Sequence, residues 1–302
     1  MNEYHDYLVR AIAAEDQIRA FACATKDLVE YARNIRNSSP LSTAALGRLL
    51  SAGCMMGDMM KSESDKLTLE IHGDGPLRQI LVTANIKGEV RGYVSNNAVD
   101  LPPNEGGHLN VGAGIGKGTL TVIRDLGMKE PYVSQIALHS GEIADDLTYY
   151  FAQSEQTPTS VGLGVLFHHD DSAVKAAGGF IVQLMPNAQK EVIDRLEDNI
   201  SHFTTVTDVL REGKTPEELL AILLDGFDLR FTENKPLFFR CNCSQSRGEE
   251  VLRTLGKEGL EELIREGKEI EVTCDFCDKR YRYSLEDLKR IRLSLNQEEK
   301  SE

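Results

Sequence analysis

The sequence predicts an α+β protein: an N-terminal core of antiparallel β-sheets with buried helices, then a helical linker, then a small C-terminal α+β unit. Three observations carry that prediction. Between Lys66 and Leu138 apolar residues alternate with period two, the spacing of half-buried strands. From Leu41 to Lys61 they cover most of a helical circumference, as a helix does when it is buried on all sides. Four of the six cysteines, Cys241, Cys243, Cys274 and Cys277, gather near the end of the chain in a segment of short helices and strands.

Taken in order, HDYLVRAIA and QIRAFACAT read as two strands of an N-terminal hairpin, joined by a polar turn around Glu15 and Asp16. Ser39 and Pro40 precede the all-round apolar helix, in which Ala44, Leu46, Leu49, Leu50, Cys54, Met55 and Met59 fall on every side. In the alternating region Leu67, Leu69 and Ile71 are followed by the turn GDGP, then by Ile80 and Val82, and Lys87 and Gly88 mark a further turn, so an antiparallel meander is expected. GEIADDLTYYFAQSEQTP reads as a helix ending before Pro158, and VGLGVLF and GGFIVQLMP return to strand character. A boundary is placed at Asn187. Beyond it Val192, Ile193, Leu196 and Ile200 line one helical face, and in TPEELLAILL Thr215 can cap, Pro216 suits the first helical position and Glu218 completes a capping box. Short helices with one apolar face are marginal alone, so they must pack on something else. A chain of 302 residues exceeds one small core. It divides into a core (1–187), a helical linker (188–236), a C-terminal unit (237–295) with two short helices, strands near Ile270 and Tyr281 and a last helix capped by Ser284, and a tail (296–302).

A net charge of −14 with no block of Lys or Arg repels phosphate backbones and anionic membranes, which argues against nucleic acid and membrane partners. MNEYHDYLVR has no basic stretch followed by an apolar one, and no apolar run approaches the roughly 20 residues of a bilayer span, so a cytoplasmic location is expected. In a reducing compartment clustered cysteines point to metal binding or redox chemistry rather than permanent disulfides.

Cys-x-Cys and, 30 residues on, Cys-x-x-Cys supply four soft thiolates from two close pairs, the donor set that tetrahedral Zn(2+) prefers. Asn242, Ser244, Asp275 and Asp278 give each pair a turn-forming context, and the unit contains no His. The predicted site is therefore all-cysteine and closed, with no position for a catalytic water. A constitutive structural zinc ribbon satisfies the same pattern. A bond between Cys241 and Cys243 would demand a tight bend and store strain, and strained disulfides are labile, while Cys274 and Cys277 have the spacing of reversible dithiols. Oxidation would remove the ligands of a metal that contributes on the order of 10 kcal/mol to folding, unfolding the unit. The linker helices would then loosen, exposing Ile193, Leu196, Leu219, Leu220, Ile222 and Leu223.

These residues carry a resemblance over nearly the whole chain. The two cysteine pairs, GEVRGYV (Gly88 to Val94), GKGTLTVIRDLG (Gly116 to Gly127), SGEIADDLTYYFAQSEQTPT (Ser140 to Thr159) and AAGGFIVQLMP (Ala176 to Pro186) resemble the redox-regulated 33 kDa chaperonin, a bacterial heat shock family of ATP-independent holdases. The resemblance implies one zinc ion per reduced chain held by Cys241, Cys243, Cys274 and Cys277, and no enzymatic activity. It also implies that oxidation pairs Cys241 with Cys243 and Cys274 with Cys277, that zinc is released, and that the opened protein forms a homodimer and holds unfolding client proteins. A thiol-disulfide oxidoreductase is the competing class, against which the missing thioredoxin-like βαβ surroundings argue. A constitutive zinc-stabilised interaction module is the third.

Other motifs read more plainly. GAGIGKG, Gly112 to Gly118, lacks the Ser or Thr and the helix of a phosphate loop and reads as a glycine-rich turn before a strand. His168, His169, Asp170 and Asp171 read as a polar turn. Of Asp145 and Asp146, one is expected to cap the following helix and the other to sit in its first turn. Met55, Met56, Met59 and Met60 are expected in the core, and Cys23 and Cys54 to be buried and inert.

Overall fold

The computed structural model describes residues 6–169 and 173–298, in two units, one ending at Arg240 and the other beginning at Cys241. In the first, β1 (Tyr7–Ala13) and β2 (Ile18–Ala24) form the expected hairpin, with Ala13 opposite Ile18 and Ala14, Glu15 and Asp16 all left-handed in the turn. α1 (Lys26–Arg36), which the sequence reading passes over, follows and ends on left-handed Asn37. α2 (Pro40–Asp58) starts as expected, Ser39 Oγ accepting from Ser42 N and Pro40 in the first turn, and all of its residues but Pro40 and Arg48 are buried.

That burial has a simple cause: α2 lies between two sheets. The five-stranded sheet, in the order β10-β1-β2-β9-β8, uses β8 (Thr159–Phe167), β9 (Val174–Leu184) and β10 (Leu229–Pro236) and is antiparallel throughout. The six-stranded sheet runs β11-β5-β4-β3-β6-β7, from β3 (Lys66–Gly73), β4 (Gln79–Ala84), β5 (Glu89–Val94), β6 (Gly118–Asp125), β7 (Tyr132–Ala137) and β11 (Phe238–Phe239). Glycine lets the helix approach both: a Cβ on Gly47 would stand 2.9 Å from Val165 of β8, and one on Gly53 2.7 Å from Val82 of β4.

The period-two pattern lays Leu67, Leu69 and Ile71 opposite Ala84, Val82 and Ile80 on the buried face. The meander reading needs one correction, because only β3, β4 and β5 follow it. The chain then crosses through α3 (Val111–Ile115), and β6 pairs with the other edge of β3. The glycine-rich stretch before β6 serves this crossing: Gly118 lies where any Cβ would collide with the His72 carbonyl. α4 (Ile143–Ser154) covers β8 beside α2.

α5 (Lys190–Ser201), α6 (Val206–Arg211) and α7 (Pro216–Leu223) fall within the first unit. Their Leu196, Val206, Val209, Leu219, Leu220 and Leu223 cover the outer face of the five-stranded sheet, formed by Val9, Ala11, Ile18, Ala20, Phe180 and Val182. The opposite face of those strands, including Leu8, Phe21 and Ile181, belongs to the core around α2. Coverage on both faces explains why these strands read as nearly continuous apolar runs. Of the residues expected beneath the linker, Leu196, Leu219, Leu220 and Leu223 are buried and Ile193 half-buried, but Ile222 is exposed.

The second unit contains α8 (Gln245–Arg253), α9 (Gly256–Glu266), the hairpin β12 (Ile270–Thr273) and β13 (Arg280–Tyr283), and α10 (Leu285–Glu298), capped by Ser284 Oγ. Among the described residues five buried side chains, Leu252, Leu260, Tyr283, Leu288 and Ile291, form its core, little for a unit of this length.

Candidate metal centre

Cys241 and Cys243 lie in the extended stretch before α8, which Ser244 opens by accepting from Arg247 N at 3.3 Å, while Arg247 Nη1 donates to Asn242 O at 2.8 Å. Cys274 and Cys277 lie in the tight turn joining β12 to β13. There Cys274 N donates to Lys279 O and Asp278 N to Cys274 O, both at 2.9 Å, and Asp278 takes the left-handed φ that closes the turn.

These two local structures bring the four sulfurs within 4.8 Å of one another. Cys241 Sγ stands 3.7 Å from Cys274 Sγ and Cys243 Sγ 3.3 Å from Cys277 Sγ, all four residues being half-buried and in the thiol form. Four thiolates each about 2.3 Å from one ion stand about 3.8 Å apart. Donor chemistry and spacing therefore fit a tetrahedral site for a soft or borderline metal ion.

Hydrogen bonds divide the cluster. Burial raises the thiols of Cys274 and Cys277, although backbone N–H groups of Cys277 and Phe276 serve the first sulfur and that of Lys279 the second. Burial also acts upward on Cys243, but the Tyr281 hydroxyl, 3.1 Å from its sulfur, and then the other three cysteines outweigh it and bring the thiol down to about 7. Tyr281 is a site residue that the sequence reading placed only in a strand; the alternation in RYRY, which puts Tyr281 and Tyr283 on one face of β13, was the available signal.

The remaining candidates do not belong to this cluster. Cys23 in β2 and Cys54 in α2 are buried, and burial pushes both thiols well up, as expected of inert cysteines. Met55, Met56 and Met60 are buried and Met59 half-buried. His168 and His169 are exposed, while Asp170 and Asp171 lie outside the described residues. Neither Asp145 nor Asp146 caps α4: the cap position belongs to Glu142 and both aspartates lie in the first turn. Asp146 is buried, and its Oδ1 accepts from His139 N at 2.6 Å and Ser140 N at 3.1 Å, fastening the loop before the helix.

No helix among the described residues is long and apolar enough to cross a membrane. The family model described as Hsp33 protein matches residues 6–284. A 33 kDa chaperonin of Lachnoclostridium phytofermentans is 52% identical over 287 residues, which cover 95% of this chain and 98% of that protein. One from Agathobacter rectalis is 50% identical, covering 95% and 99%. The crystal structure of the 33 kDa chaperonin from Thermotoga maritima superposes with a TM-score of 0.89 at 35% identity, covering 97% of this chain and 100% of that one. A cysteine cluster built from Cys-x-Cys and Cys-x-x-Cys, the two-sheet core around α2 and these full-length matches together place the chain in the Hsp33 family.

Proposed function

We propose that the chain is a cytoplasmic, ATP-independent holdase, not an enzyme, whose client binding is switched on by oxidation of the four-cysteine centre. One observation supports this reading above the others: four sulfurs converge in a unit whose core, among the described residues, has five buried side chains. In the reduced chain Cys241, Cys243, Cys274 and Cys277 would hold one zinc ion, which when bound supplies the cross-link that such a core lacks. Each thiolate is both a metal donor and a site of oxidation. Conversion of Cys241 with Cys243 and of Cys274 with Cys277 into disulfides, the pairing implied by the resemblance to the family, removes every donor at once. The unit from 237 to 295 then loses the constraint that folds it.

The linker, 188–236, is the proposed metastable element. α5 to α7 rest on a platform of small and branched side chains, and their departure would bare Ala11, Ile18, Ala20 and Val182 together with Leu196, Leu219, Leu220 and Leu223. A contiguous apolar face of this kind suits segments of unfolding proteins and the homodimer implied for the oxidised state. The names of the relatives, chaperonins all, support the chaperone class.

The test measures bound zinc, free thiols and suppression of aggregation of a heat-unfolding client before and after mild hydrogen peroxide with heat. Zinc and thiols should fall together while suppression appears. Oxidised protein that retains its zinc, or equal suppression in both states, overturns the reading; turnover of a small disulfide substrate would favour an oxidoreductase.

A further inference from the structure

We propose that Tyr281 is a positioning residue that sets how readily the cysteine centre yields to oxidants and chelators, by donating its phenolic hydrogen to the sulfur of Cys243. The inference rests on the zinc and oxidation reading above and adds a determinant of its threshold. β13 carries Tyr281 and Tyr283 at alternate positions, so both rings leave one face of the strand. Tyr281 Oη lies 3.1 Å from Cys243 Sγ, and buried Tyr283 donates to Gln245 O at 2.7 Å. The two hydroxyls hold the stretch from Cys243 to Gln245 against the hairpin whose turn carries Cys274 and Cys277. The sulfurs of that turn are served by backbone N–H groups, present whenever the turn is folded. Cys243 is served by a side chain, so one oxygen atom can be removed while the turn keeps its own donors.

Oxidation by a hydroperoxide begins when a thiolate lone pair attacks the terminal peroxide oxygen. The O–O bond breaks, sulfur gives up two electrons and becomes a sulfenic acid, and the other oxygen leaves as hydroxide or alkoxide and takes up a proton. A neighbouring thiolate then attacks that sulfur; the S–S bond forms and hydroxide departs, to be protonated to water. The lone pairs that attack peroxide are those that bind a metal. A phenol aimed at them withdraws electron density, occupies one line of approach and fixes the direction of the sulfur. Its removal should loosen the metal and expose Cys243 together, as loss of a hydrogen-bonding partner to a metal ligand commonly does.

The experiment compares full-length wild type, Tyr281→Phe and Tyr283→Phe. Zinc retention is followed against a chromophoric chelator, and the rate at which each cysteine reacts with hydrogen peroxide is followed by alkylation of the remaining thiols and peptide mass spectrometry. Tyr281→Phe should lose zinc about tenfold more readily and react several-fold faster at Cys243 relative to Cys277 of the same molecules. Tyr283→Phe deprives Gln245 O of its partner without touching a sulfur, and should leave that ratio at the wild-type value. A ratio unchanged in Tyr281→Phe, or moved as far by Tyr283→Phe, overturns the proposal. If wild type binds no zinc, the metal reading fails separately; in the metal-free chain the phenol stabilises the reactive thiolate, so Tyr281→Phe should lower the Cys243 to Cys277 ratio, and an unchanged ratio there overturns the role of Tyr281.

Discussion

Leu220→Ala tests whether α5 to α7 can open apart from the core. Leu220 is fully buried in α7, where it packs with Leu219 and Leu223 over the outer face of β1 and β2. Deleting three carbons at such a site costs about 2–5 kcal/mol, since the lost transfer energy is joined by that of an incompletely filled cavity. With about 3 kcal/mol, and about 1.4 kcal/mol for each factor of ten, the open population should rise about a hundredfold. Leu220 belongs to the outer cluster and not to the one around α2, so the penalty should fall on opening of the helices.

Hydrogen exchange of the reduced, zinc-loaded protein reads this directly. Amides of α5 to α7 should lose about two orders of magnitude of protection, while those of β3, β4 and β6 keep theirs. The reduced variant should also suppress aggregation of a heat-unfolding client before any oxidant is added, with its zinc retained. Equal loss of protection across both sheets would mean that the helices and core open as one cooperative unit, and the linker mechanism would be wrong. Loosened helices without suppression would refute the assignment of the uncovered platform to client binding.

Cys277→Ser replaces a soft donor by a hydroxyl, and should abolish stoichiometric zinc binding and strip amide protection from 245–291 while β3, β4 and β6 stay protected; metal titration and exchange check both. Stability should also depend on pH through Asp6, which burial raises to about 6 from 3.8 despite the N–H groups of Leu28 at 2.6 Å and Asp27 at 3.2 Å. A carboxyl that holds its proton more tightly in the folded state gives stability that is present below about 3.8 and lost as pH rises through about 6. Relative to Asp6→Asn, wild type should lose about 2.4 kcal/mol between pH 4 and pH 7 in denaturant unfolding, and parallel profiles would refute the burial argument.

What the sequence disclosed follows the kind of signal each element carries. The capping box of α7 was legible because its chemistry is local, and both bonds form, Glu218 N to Thr215 Oγ1 at 3.2 Å and Thr215 N to Glu218 Oε2 at 2.8 Å. α2 and the hairpin of β1 and β2 were legible through burial on all sides. β10 was not, since most of its residues are exposed and charged or polar, and pairing with the edge of β1 alone makes it a strand. α1 buries only Leu28, Val29 and Ala32, too narrow a stripe to announce itself, and the place of β6 is settled by a crossover that no local pattern encodes. In the metal centre the four cysteines declared themselves by spacing. Tyr281 did not, because its partner lies 38 residues away.

The position of β10 also bounds the proposed switch more tightly than residues 188–236. β10 pairs with β1 from Leu229 to Pro236, and its Lys235 reaches the carboxylate of Asp58 at the end of α2 and donates to Ile86 O at 2.6 Å. Arg10 joins Asp58 and Glu233 in the same network. Asp58 is only 2% exposed. Pulling β10 away would take Lys235 from that buried carboxylate and leave it Arg10 of β1 alone, at 3.4 Å; losing one partner of a buried pair costs up to about 3–5 kcal/mol. α5, α6 and α7 are held on the outer face of the sheet by apolar contact and by the Tyr7 hydroxyl donating to Glu217 Oε2 at 2.7 Å, and to one another by bonds such as those of Asn199 Nδ2 to Leu223 O and Asp225 O, rather than through the buried carboxylate of Asp58. Loosening should therefore stop between Leu224 and Leu229. After oxidation with heat, exchange should be fast through 190–224 and slow through β10, and Lys235→Met should move the boundary toward Arg240. Fast exchange through β10 in the oxidised wild type would show that the charge network does not anchor the strand, and that the metastable element extends to the start of the cysteine unit.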